Sequence, residues 1–175
     1  MKPFAARILF AAVAFAFTAA APLAARAEPR LHPTLAPFQF MVGSWQCRSW
    51  VAATSRSAPR FDAISARYSV LRGGAALAQR AIGPDYRSLE LFNYEPSSKR
   101  IVTTALADDG SRSLTSSPGW AGNAITLSGQ YQRSGWNIDV RDILVKFTDR
   151  RFTDTTEIRQ RGRWMTVSNS DCNKR

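Results

Sequence analysis

A chain of 175 residues has the size of one ordinary domain, which excludes most multi-domain enzymes. Hydrophobic residues make up 45% and charged residues 21%, so a disordered, collagen-like or coiled-coil chain is excluded as well. Against 24 Lys and Arg stand 13 Asp and Glu, with two Cys and one His, which removes most of the ligands that zinc, haem or a nucleophilic dyad would need.

Residues 1–27 read as a secretory signal peptide. Lys2 and Arg7 give a basic start, 8–21 is a run of 14 residues without a charge, and Ala25-Arg26-Ala27 offers small residues for cleavage after Ala27. An apolar run of that length, broken by Pro22, falls short of the roughly 20 residues a membrane span needs. The product is therefore expected in the periplasm or secreted, with no integral membrane segment after cleavage. Cleavage removes Lys2, Arg7 and Arg26 and no acid, leaving a net charge of +8 on 148 residues. That charge favours anionic partners. It is scattered singly, however, and no nucleic-acid motif accompanies it, so nucleic acid is not expected as a partner.

Residues 28–42 form an N-terminal arm that ends in a short helical plug, since Leu35, Phe38 and Met41 recur at three-residue spacing over 33–41. The domain proper is 43–175. There the pattern changes to short alternating segments, predicted as strands at 44–51, 61–71, 75–82, 86–94, 101–107, 112–116, 124–131, 136–147, 152–159 and 164–172. Turn residues separate them: Gly73-Gly74, Gly83-Pro84-Asp85, Asp108-Asp109-Gly110, Ser134-Gly135, Asp149-Arg150 and Arg161-Gly162. Every connection is too short for a parallel crossover. An open meander of ten strands would leave two long edges, whereas an up-and-down antiparallel barrel has none. The predicted class is therefore an all-β barrel of about ten strands. A two-sheet sandwich is the alternative, though no long return connection suits it. Cys47 lies in the first strand and Cys172 in the last, and two cysteines in an exported chain are expected to pair. A disulfide requires α-carbons within about 7 Å, which a closed ring supplies.

The segment 35–47, LAPFQFMVGSWQC, resembles the start of calycin-type barrels: an apolar helical turn, then Gly-x-Trp opening the first strand, here Gly43-Ser44-Trp45. Taken with the signal segment, the strand ladder, the loop SPGWAGN at 117–123 and the closing Cys172-Asn173-Lys174, the chain resembles exported bacterial lipocalin-like proteins of an uncharacterised family. The resemblance covers nearly all of 28–175. It implies that Trp45 closes one end of the barrel and that the helical turn plugs it. The chain is also distantly similar to nitrobindin-type barrels, which carry Gly-x-Trp-x-Gly-x-Gly and hold haem through a His near the C-terminus. Here Gln46, Cys47, Arg48 and Ser49 stand in the second half of that motif, and the sole His, His32, precedes the barrel. Neither haem nor any other cofactor or metal is expected.

A ten-strand barrel is wider than its side chains just fill, so an interior site for a small apolar or amphipathic molecule is the leading functional expectation. Tyr68, Phe92, Tyr94, Tyr131 and Trp136 are candidates for its lining, and Trp120 either covers the opening or packs on the rim. An interior Arg67, Arg80 or Arg87 would hold an anionic group, although a strand Arg more often lies on the wet face. Asp139 with Asp142, or Asp149 with Asp154, would give paired carboxylates, but their spacing indicates turns and surface. No catalytic residue is assigned and no catalysis is expected. The competing readings are an envelope scaffold with a filled barrel that acts through its basic surface or rim loops, and an enzyme using the cavity. The oligomeric expectation is a monomer or homodimer.

Overall fold

The computed structural model describes residues 30–54 and 57–175; the segment 1–27 lies outside the described residues. The chain begins with a 3-10 helix, Pro33–Met41, and continues into ten strands. They are β1 Gly43–Val51, β2 Arg60–Leu71, β3 Ala76–Ile82, β4 Arg87–Glu95, β5 Arg100–Ala107, β6 Arg112–Ser117, β7 Ala124–Arg133, β8 Trp136–Thr148, β9 Arg151–Gln160 and β10 Arg163–Lys174. Each pairs antiparallel with its chain neighbour, and β1 pairs with β10, so the sheet is a closed barrel. Among the described residues no helix is long and apolar enough to cross a membrane.

Turn chemistry explains why the ladder folds where it does. Ser134-Gly135 and Arg161-Gly162 both have positive φ at their two central positions, the backbone of the tight hairpin turn that follows a twisted strand pair. The register at the seam places Cys47 opposite Cys172, and the two form a disulfide with α-carbons 4.0 Å apart across 125 residues of sequence. Cross-linking a loop of that length stabilises the fold by about 4–5 kcal/mol in the chain-entropy account.

Alternation along β1 turns Trp45, Cys47 and Ser49 inward, and the ring of cross-strand partners carries that parity round the barrel. The helix seals the end at which β1 starts. Leu35, Phe38 and Met41 are fully buried there and Trp45 is 1% exposed. The Trp45 indole N–H donates to the Met41 carbonyl at 2.6 Å, and its ring meets Phe152 edge-on with centroids 4.8 Å apart. Lys174 donates to the Phe40 carbonyl at 2.9 Å and so fastens the last strand to the plug. The arm before the helix is fixed by the His32 amide, which donates to the Gly74 carbonyl. Gly74 has a φ of 105°, and a Cβ there would strike the Arg30 carbonyl. Trp45 therefore closes the barrel end, and His32 is an exposed residue of the arm.

Candidate functional site

Towards the other end the inward side chains become smaller and more polar, and a cavity of about 670 Å³ opens between them. Its floor rests on the aromatic plug: Tyr68 from β2, Phe92 from β4, Leu127 from β7, Leu144 from β8 and Phe152 from β9, beside the disulfide. Serines line the upper wall, among them Ser49, Ser88, Ser113, Ser168 and Ser170. At the mouth Arg60 bridges Asp62 and Asp85 at 2.9 and 3.5 Å, and Arg133 bridges Asp109 at 3.0 Å.

Between floor and mouth three carboxyl groups enter the barrel. Asp142 stands on β8 opposite Thr156, whose hydroxyl donates to it at 2.7 Å. Asp154 stands on β9 opposite Leu144 and Ser170, which makes it the diagonal neighbour of Asp142. Glu90 approaches from β4, on the far side of the ring, between Gln79 and Ala105. No ion pair among the described residues involves any of the three.

A carboxylate enclosed by protein without a counter-ion holds its proton more tightly. Burial, assisted by the charge of Asp142, pushes Glu90 up to about 8, while a hydrogen bond from Thr103 works against the rise. Burial likewise raises Asp142 to about 6, opposed by the Thr156 hydroxyl. Asp154 lies well above the usual carboxylate range, through burial first and then the charges of Asp142 and Glu90. Its Oδ1 has essentially no exposed surface and no hydrogen-bond partner among the described residues. Tyr68 is also raised, chiefly by burial, and its hydroxyl accepts from Gln79 at 2.9 Å.

The expected lining residues divide into two groups. Tyr68, Phe92 and Tyr131 do border the cavity. Tyr94 packs instead against the core at the closed end, and Trp120 joins the plug, its ring 5.3 Å from Phe38 and 6.0 Å from Phe40. Trp120 therefore lies at the end away from the opening. Trp136 has inward parity but is 72% exposed, because it begins β8 immediately after the Ser134-Gly135 turn, beyond the rim. Arg67, Arg80 and Arg87 are exposed on the outer face. The surface reading of Asp142 and Asp154 is overturned, since both point inward, whereas Asp139 and Asp149 do lie outside.

Sequence reasoning passed over Glu90 altogether. The signal was a carboxylate at period two among inward-facing residues: Ser88, Glu90, Phe92 and Tyr94 on β4, Val140, Asp142 and Leu144 on β8, Phe152, Asp154, Thr156 and Ile158 on β9. No group of three or more His, Cys, Asp or Glu among the described residues is placed to hold a metal ion.

The comparisons with known proteins bear on the fold. No family model matches the chain, and no curated protein does. Among solved structures, the crystal structure of Rv2717c from M. tuberculosis superposes with a TM-score of 0.63 at 11% identity, covering 83% of this chain and 99% of that one. The chain is thus similar in architecture to Rv2717c, and its own closed ten-strand antiparallel sheet is consistent with a calycin-like barrel.

Proposed function

We propose that the protein is an exported barrel that holds a small amphipathic molecule in its interior, in the manner of lipocalin-like carriers. The observation that carries this reading is the asymmetry of the barrel. One end is sealed by the helix and its aromatic cluster, while the other opens on a cavity of about 670 Å³, within the range of small-molecule sites. Apolar floor and polar wall suit a ligand with an apolar body and a hydrogen-bonding head. A filled scaffold would need that volume occupied by side chains. Export is supported by the basic, apolar and small-residue zones of 1–27 and by the Cys47–Cys172 disulfide, which persists in oxidising compartments.

The test is the intact mass of protein purified under native conditions from the full-length gene. The expected result is a polypeptide starting at Glu28 that carries a stoichiometric adduct lost on denaturation. A bare polypeptide at every purification from its native host, together with a dry interior filled by side chains, contradicts the carrier reading.

An enzyme that uses the cavity is the second reading, favoured by the titratable groups inside it. Glu90 and Asp142, with values near 8 and 6, are suited to hold and release a proton near neutrality.

A further inference from the structure

The outer surface of the chain is basic, yet the middle of the cavity is lined by carboxyl groups that no arginine or lysine among the described residues pairs with. Arg60, Arg112 and Arg133 border the cavity only at its mouth, and each is engaged there: Arg60 with Asp62 and Asp85, Arg133 with Asp109, and Arg112 with the Gln132 side-chain oxygen at 2.7 Å. Deeper in, Asp154 holds a carboxyl oxygen that is sealed from the surface and accepts no hydrogen bond from any described residue. Buried acceptors in folded proteins are almost always satisfied, and Asp154 lines the cavity, so a turn of its carboxyl group brings the orphaned oxygen to a donor from outside the chain. Asp142 lies diagonally beside it, and Glu90 faces both from β4. An anion brought to this level would find no basic side chain among the described residues to pair with, and a neutral apolar molecule would leave the orphan oxygen unpaired.

We infer that the ligand class of this cavity is an organic cation: a protonated amine or amidine that donates to Asp154, with Asp142 and Glu90 around it, on an apolar or aromatic body that rests on Phe92, Phe152 and Leu144. This rests on the carrier reading above and narrows it. The ammonium supplies both the missing donor and the counter-charge, so its binding draws carboxyl protons out into solvent. The aromatic floor supplies contact area for the body of the ligand.

Three indole compounds of nearly equal shape separate charge from fit: tryptamine, its alcohol analogue tryptophol, and indole-3-propionate. Each is titrated at pH 7 into the purified, disulfide-bonded protein, with binding followed by the NMR signals of the cavity side chains. The expected result is that tryptamine binds at least tenfold more tightly than tryptophol, that indole-3-propionate is weakest, and that Asp154→Asn reduces the preference for the amine at least threefold. Glu90→Gln is the parallel variant should Asp154→Asn fail to fold. Binding of tryptophol or indole-3-propionate as tight as that of tryptamine, or an amine preference unchanged in the variants, overturns the cation inference and leaves the carrier reading standing. Failure of all three to move any cavity signal at millimolar concentration overturns the carrier reading and the inference together.

Discussion

Glu90 shows what the interior costs. Its carboxyl group is neutral in the folded barrel up to about pH 8, but in the unfolded chain it ionises near the ordinary glutamate value of about 4.3. The folded state therefore binds more protons than the unfolded state between these limits, and stability falls as pH rises through that window. Asp142 and Asp154 act in the same direction, because both are raised. Gln matches the shape of a protonated Glu and never ionises. The Glu90→Gln variant is expected to melt close to the wild type at pH 4 and several degrees higher at pH 9, as measured by thermal denaturation across the range. A difference that stays constant with pH would place Glu90 in contact with bulk water. On β8, Asp139 faces Gln130 and Arg159 on the outer surface, and only parity separates its position from that of Asp142 three residues on.

Strands and turns were the most legible part of the chain. The predicted strands match the observed ones to within two residues at each end, because the turn residues between them leave the backbone few alternatives. Parity was less legible, since Asp142 and Asp154 were expected at turns and the surface and both point inward. What did not follow was where along a strand the barrel wall stops. Trp136 obeys the alternation and still lies outside, since β8 overhangs the rim, and Trp120 belongs to a loop whose docking on Phe38 and Phe40 no periodicity encodes. Another feature hidden from pattern reading is Gly129 in β7, which stands opposite Thr115 and has inward parity between Leu127 and Tyr131. A Cβ there would collide with the Leu114 carbonyl oxygen and the Thr115 Cα, so β7 crosses β6 too closely for any side chain. Gly129→Ala is expected to cost about 1–3 kcal/mol in a denaturant titration, as forced overpacking does elsewhere. A loss below about 0.5 kcal/mol would show that the two strands part without penalty.

At the level of the barrel, closure makes residues distant in sequence share one chamber. Glu90, Asp142 and Asp154 lie on strands from the middle and the end of the chain, and only a ring turns them towards a common space. The cysteines made that ring readable, because a bond between first and last strands needs its ends side by side. Its content was less readable, since apolar alternation is dominated by Ile, Leu, Val and Phe, and a lone acid among them looks like an interruption rather than a site. The result is a chain with a basic exterior and an acidic interior, closed at one end and open at the other. Titration of the side-chain carboxyl carbons by NMR measures this arrangement directly. The prediction is three resonances, assigned by Glu90→Gln, Asp142→Asn and Asp154→Asn, with midpoints near 8 for Glu90, near 6 for Asp142 and well above the ordinary range for Asp154. Midpoints below 5 for all three would mean that the carboxyls face open water and that the enclosed, acid-lined chamber does not exist.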